Sequence, residues 1–434
     1  MAAYGALGLP LAFAALPVYV YAPKFYAGLG MTLGVAGAVL LAARVADAFV
    51  DPWLGVFADR SRNTRAFIAA ALIPLALGML AMFNPPAASA GGLALWLCLC
   101  LTLTYFGFSA ASIAYQAWGA RLGPAGDRTR VTAMREGFGL TGVVLASILP
   151  QLFAPTVEAG LPATSWVFVA ILALCAAVCL RTAPAGTRTL RPGTRTLRAG
   201  TRTLRAGTRT LRPGTRTLRA AATTAPLAAL ASARFRRLLL VFAINGIASA
   251  IPATLFLFFV ADVLGLAQRS GLFLALYFVA AACALPLWVR TAAHWGKKRA
   301  WLASMALAIA GFIWAYSLAA GDGAAFTAIC VVSGAALGAD LALPAALLAD
   351  TIEADRASGA EGTYFGLWNL VTKLNLAAAA GLALPALALL GYTPGESANG
   401  GALALVYCLL PCILKAIAMF ALARIELDPP AELT

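Results

Sequence analysis

Residues 44–62 read Arg44-Val-Ala-Asp47-Ala-Phe-Val-Asp51-Pro52-Trp-Leu-Gly55-Val-Phe-Ala-Asp59-Arg60-Ser-Arg62. Most of this stretch lies in an apolar run from Thr32 to Ala58, which exceeds the roughly 20 residues that carry a helix across about 30 Å of hydrocarbon. Yet the run holds three charges. Arg44, Asp47 and Asp51 fall at i, i+3 and i+7, on one helical stripe about two turns long. A charge at mid-bilayer costs about 2.5–3.5 kcal/mol on insertion scales, so such residues face a cavity or a partner.

Outward from this stretch the apolar runs recur along all 434 residues. Twelve spans are expected, over residues 4–27, 32–58, 67–83, 93–118, 138–154, 166–180, 238–264, 271–289, 300–318, 325–349, 364–390 and 402–423. The composition agrees: 62% of residues are hydrophobic and 11% charged, against about 25% charged in a soluble domain. The expected fold is therefore an all-α polytopic membrane protein. It comprises a six-helix bundle over 1–180, a cytoplasmic linker over 181–237 and a second six-helix bundle over 238–434. The first span has no basic residue before it and is read as an uncleaved helix rather than a secretory leader.

A net charge of +15 resembles that of a nucleic-acid binder, but ten of the arginines sit in five copies of Gly-Thr-Arg-Thr-Leu-Arg-(Pro/Ala) over 186–220. No nucleic-acid partner is expected. Each copy also carries a Gly, and Pro192 and Pro213 interrupt the series, so its seven-residue period makes no coiled-coil seam; a disordered linker is expected. Basic residues otherwise concentrate in alternate loops, at Arg60, Arg62, Arg65, Arg121, Arg128, Arg130, Arg135, Arg290, Lys297, Lys298 and Arg299. By the positive-inside rule these loops and both termini are cytoplasmic. The eight cysteines all fall in spans and read as small buried apolar residues. With His294 as the only histidine, no metal cluster or nucleophile–base pair is evident, and neither an enzyme nor a cofactor is expected.

Two carboxylates at i and i+4 beside an aqueous cavity can share one small cation or one proton, because their repulsion is relieved when it binds. Asp47 and Asp51 are thus the expected coupling site; the bland alternative is that Arg44 neutralises Asp47. Lys373 in the eleventh span needs a counter-charge, and the acids of the second span supply it if the halves face one another. Such a pair would latch one conformation until cation or substrate releases it. Asp340, Trp368, Asn369 and Tyr19 are further candidates for a substrate cavity or gate. Lys415 either joins that cavity or snorkels to the interface. Pro10, Pro17, Pro52, Pro252, Pro286 and Pro344 mark places where spans bend. The function expected is secondary active transport of a small organic solute, with the lipid bilayer as its setting and the monomer as the working unit. The alternatives are a proton-coupled exporter and a non-transporting sensor or scaffold that docks through its arginine repeat.

The stretch 44–62 resembles the helix 2 and loop signature of the glycoside-pentoside-hexuronide:cation symporters, the melibiose-permease branch of the major facilitator superfamily. A second match runs through Ala349-Asp350-Thr351-Ile352-Glu353-Ala354-Asp355, Gly359, Glu361-Gly362-Thr363-Tyr364, Lys373 and Gly391-Tyr392. A looser one covers Tyr115-Gln-Ala-Trp-Gly, Asp127-Arg128-Thr129-Arg130 and Arg135. The resemblance implies a rocker-switch symporter of a bacterial inner membrane, taking a proton or Na+ at Asp47 and Asp51, with Lys373 facing the cavity. It also implies cytoplasmic gate roles for Gly55, Asp59, Arg60, Arg135, Asp350 and Glu353. Three departures stand out: Val50 where sodium-coupled sugar members carry Asn, and Pro10 and Pro124 near the places of their substrate carboxylates. Val50 turns the expectation from sodium toward proton coupling, Pro10 and Pro124 turn it away from a neutral galactoside, and Arg44 and Lys373 turn it toward a uronide or other organic anion.

Overall fold

Helix starts in this chain are set by polar residues just outside the apolar runs. Asn63 accepts from the amides of Arg65 and Ala66, at 3.1 and 3.2 Å, and Ser89, Thr156 and Ser232 cap in the same way; each satisfies an amide that the first helical turn leaves without a partner. The structure, a computed structural model, describes residues 1–31, 33–86, 89–122, 127–184, 228–357, 359–392 and 400–425. The arginine repeat, Pro124 and the side chain of Tyr19 lie outside the described residues.

Twelve helical spans follow in chain order. The first, α1, is built from Ala2–Gly5, Gly8–Leu16, a π turn over Pro17–Tyr21 and Ala22–Gly28. Next come α2 (Leu33–Arg60), α3 (Thr64–Met82), α4 (Ala90–Ala120), α5 (Arg128–Phe153) and α6 (Val157–Thr182). The second half holds α7 (Ala233–Phe258, extended by the π turn Phe259–Val263), α8 (Ser270–Trp295) and α9 (Lys297–Phe312). It closes with α10 (Gly323–Ala354), α11 (Glu361–Leu389) and α12, assembled from Gly400–Ala404, Leu405–Leu409 and Leu410–Arg424. Nine of the described helices are long and apolar enough to cross a membrane; the other spans are the broken α1 and the pair α2 and α11, which hold Arg44, Asp47, Asp51 and Lys373.

Several helices outrun their apolar spans. Helix α5 begins at Arg128 rather than Phe138, and α7 at Ala233 rather than Leu238. Hydropathy marks only the part of a helix that meets hydrocarbon, whereas the backbone ladder continues into water wherever a cap or an ion pair holds it. At α7 both are present: Ser232 caps the helix (Phe235 N to Oγ, 3.2 Å), and Arg234 pairs at 3.7 Å with Asp355, the C-cap of α10, to which Ser232 also donates at 2.6 Å.

The halves repeat one packing plan. In the first, α1 lies on α5 and α6, and α2 on α4; in the second, α7 lies on α11 and α12, and α8 on α10. Between them α2 packs against α11, and α5 against α8 and α10. The apolar core is continuous across the halves at the arginine-rich end, from Tyr4 through Trp118 and Trp301 to Ile425. At the other end the second half has its own cluster, from Ile251 to Cys408. The arginine-rich end, expected to be cytoplasmic, is therefore closed. Large apolar side chains such as Leu95, Leu152, Trp166, Leu174 and Trp314 are exposed on the outer faces, as lipid contact requires.

The eight cysteines are all free, and the expectation that they are buried needs correcting for three. Cys98 and Cys283 are exposed and Cys175 is partly exposed. Their helices turn these positions outward, where a small apolar thiol suits lipid as well as a core does.

Candidate functional site

Helix α2 carries its acids against the other half because three glycines let α11 come close. A Cβ at Gly55 would lie 2.1 Å from the Gly362 carbonyl oxygen, and one at Gly366 would lie 2.6 Å from that of Asp51. With backbones this near, Lys373 of α11 reaches across. Its Nζ lies 2.7 Å from Asp51 Oδ2, makes a short contact with Asp47 Oδ2 and donates to Ser109 Oγ of α4 at 2.9 Å. Ser109 in turn donates to Asp47 Oδ1 at 2.9 Å. Asp47 is 8% exposed and Asp51 fully buried.

These contacts bring Asp47, Asp51 and Lys373 together as expected and add Ser109, which no sequence signal distinguished from its neighbours. Two carboxylates face one ammonium, so with both acids ionised the three residues would carry a residual charge of one negative unit. A second small cation, or a proton on one acid, would neutralise it. Arg44 is half-buried one turn away on α2, while the partners described for Asp47 are Lys373 and Ser109.

Nearer the cytoplasm, Asp59 at the end of α2 accepts from the amides of Gly362 and Thr363 at 2.6 and 2.8 Å and from Thr363 Oγ1 at 2.7 Å. An acid of one half thus caps the N-terminus of a helix in the other, where free amides and the helix dipole favour negative charge. Arg128 of α5 makes a second tie. Its Nη1 lies 2.8 Å from Asp350 and its Nη2 meets Glu353, both on α10. Lys297 shares Asp350 at 2.6 Å. Gly55, Asp59, Asp350 and Glu353 therefore all lie at the closed end. Arg60 is exposed there. Arg135 pairs with Glu136 at 2.5 Å beside Tyr4 and lines a small space that Ala345, Ala349 and Phe365 of the other half also line. Arg128, from the same loosely matched motif, makes the cross-half ion pairs.

The remaining expected residues do not join the Asp47–Asp51 cluster. Trp368 is buried and stacks on Phe242, ring centroids 3.7 Å apart, within the second half. Asn369 accepts from Gln116 of α4 across the halves at 3.4 Å. Asp340 lies elsewhere, paired at 2.8 Å with Lys415, which is 9% exposed and so points inward rather than snorkelling. Both line a cavity of about 400 Å³ within the second half that includes neither Asp47, Asp51 nor Lys373. At the opposite end from the closed gate, Tyr392 donates to Asp262, and burial pushes its phenol above the ordinary value.

Two six-helix halves sealed at one end around cross-half ion pairs form the fold of a major facilitator superfamily transporter. The family model described as MFS/sugar transport protein matches residues 2–429, and the chain belongs to that family. No curated protein sequence matches it significantly. Among solved structures it is similar to a bacterial homologue of the iron transporter ferroportin in an outward-facing state, with a TM-score of 0.68 and 14% identity over 98% of this chain and 100% of that one. It is also similar to the fucose:proton symporter of E. coli, with 0.66 and 14% over 96% and 98%. A third is the human organic anion transporter MFSD10, with 0.64 and 18% over 97% of each chain. At these identities the likeness is one of fold.

Proposed function

We propose that the protein is a cation-coupled secondary transporter of the glycoside-pentoside-hexuronide:cation symporter branch, moving a small organic solute by alternating access. The observation that carries this reading is the bridge from Lys373 on one half to Asp47 and Asp51 on the other. The ammonium occupies the position a coupling cation would take. While it stays, the halves are tied at mid-membrane and their cytoplasmic ends remain together. A proton or Na+ reaching the acids competes with Lys373 and loosens the tie, and substrate entering between the halves lets them rock. Without the lysine and without a cation, two buried carboxylates would repel one another, so the acids are always served by one or the other. The fold's sugar-symporter neighbours and the match of 44–62 to the symporter signature support the same reading. A bacterial inner membrane and a working monomer belong to this proposal.

The test is uptake into proteoliposomes under separately imposed proton and sodium gradients, with wild type and Asp51→Asn. Wild type should concentrate solute under one of the gradients, while the variant should only equilibrate it. Undiminished concentrative uptake by Asp51→Asn would refute the assignment.

A further inference from the structure

The second buried ion pair lies where the coupling mechanism has no use for it, at the membrane-depth wall of the cavity of about 400 Å³ in the second half. That volume falls in the roughly 300–1,000 Å³ range of small-molecule sites. Helices α7, α8, α9, α10 and α12 form the wall, with Leu16 the one lining residue from the first half among the described residues. Phe256, Phe278, Phe312 and Phe326 give it an aromatic interior, and among the described residues Asp340 and Lys415 are its only charged lining residues.

The hydrogen bonds around the pair decide which ligand charge fits. Asp340 Oδ1 accepts from Trp301 Nε1 of α9 and Oδ2 accepts from Lys415, both at 2.8 Å. Lys415 also donates to Asn245 Oδ1 of α7 at 2.8 Å. An ammonium has three hydrogens, and these contacts use two. Each acid oxygen thus has one donor and keeps a further lone pair, whereas the lysine keeps one hydrogen beside the cavity, and an N–H is left without a partner less readily than a lone pair is. A ligand carboxylate would accept that hydrogen, which offsets its repulsion by Asp340, whereas a ligand cation would leave the hydrogen without a partner. Besides the ion pair, the polar lining side chains among the described residues are Ser249, Tyr277, Ser333 and Tyr407, spread along a mainly apolar wall; a sugar's ring of hydroxyls would meet fewer partners there than it needs, and each hydroxyl buried without one costs free energy.

We infer that this cavity is a binding site for an amphipathic organic monoanion, its apolar body among the phenylalanines and its carboxylate on Lys415, where it competes with Asp340 as the lysine's counter-charge. This deepens the transport reading by naming a substrate class and rests on it for the step from binding to transport. The binding itself is independent of that reading.

Equilibrium binding to the full chain in lipid nanodiscs, by calorimetry without any ion gradient, tests it. The probes are 4-phenylbutyrate, its neutral amide, glucuronate, and dodecanoate as an acid that the membrane could deliver. Phenylbutyrate should bind at least tenfold tighter than the amide, and glucuronate should not bind measurably. Dodecanoate binding tighter than phenylbutyrate would assign the lipid phase as source, and weaker binding the aqueous phase; in both cases the carboxylate must outcompete its amide. Asp340→Asn should tighten phenylbutyrate several-fold by removing the competing charge. Lys415→Met/Asp340→Asn, which leaves no unpaired charge to disturb folding, should abolish the preference for the carboxylate over the amide. Equal binding of carboxylate and amide to wild type, glucuronate binding as tight as phenylbutyrate, or an unchanged preference in the double variant overturns the inference. If the anion binds as described and no gradient drives its flux, the transport reading fails and the site stands.

Discussion

Replacing Gly55 by Ala tests whether the closed cytoplasmic end depends on backbone contact between α2 and α11. The added Cβ would lie 2.1 Å from the Gly362 carbonyl oxygen, 2.7 Å from its carbonyl carbon and 3.0 Å from Thr363 Cα. All three are backbone atoms, so no side chain can swing aside. Reaching ordinary contact near 3.5 Å requires the helices to part by about 1.4 Å. Overpacking of this kind costs about 1–3 kcal/mol, and the displacement also lengthens the three hydrogen bonds to Asp59. The cost falls on the conformer in which the ends meet and is absent once they separate. The variant should therefore shift the population toward the cytoplasm-open state by roughly 5- to 150-fold. Spin labels at Arg130 and Arg299, exposed on opposite halves, in a cysteine-free background, would report this as a longer distance by double electron–electron resonance. Gly91→Ala, at a position with nothing within 4 Å, is the control and should leave the distribution unchanged. A wild-type distribution in Gly55→Ala, from a protein shown to be folded, would falsify the claim that this glycine contact sets the gate.

Three other perturbations probe the ion pairs and the linker. Lys373→Met leaves two buried carboxylates against each other and should lower stability by about 3–5 kcal/mol, read as a lower Tm in detergent; Lys373→Met/Asp51→Asn should recover most of it, and failure to recover would separate the loss from charge. Arg128→Ala removes a cross-half tie, but Glu353 is 63% exposed and solvent screens part of the interaction. The expected cost is about 1–2 kcal/mol, a 5- to 30-fold population shift in the same direction as Gly55→Ala and by the same measurement. Deleting residues 186–220 should leave uptake within twofold of wild type; loss of uptake in a correctly inserted protein would give the repeat a role in transport.

The number of membrane spans, their alternation across the bilayer and the two-half plan were legible in the sequence because each depends on a local quantity, the length of an apolar run or the sign of a loop. The stripe Arg44, Asp47 and Asp51 was legible for the same reason: helical spacing is local, and charge within an apolar run is rare enough to stand out. Lys373 and Lys415 stood out too, but their partners did not. That Lys373 meets both acids of α2, that Lys415 turns inward to Asp340 and Asn245, and that Arg128 rather than Arg135 ties the halves are matters of how helices far apart in the chain are rotated against one another. Rotation is decided by close approach at positions such as Gly55, Gly362 and Gly366 and by the summed packing of many apolar side chains, none of which a single run of residues records. Ser109 shows the limit most plainly, for a serine in an apolar helix acquires chemistry only from what lies opposite it. Composition and period determined that this chain lives in a membrane as two bundles; the tertiary structure alone decided which charges meet, because an ion pair depends on distance in space and not on separation along the chain.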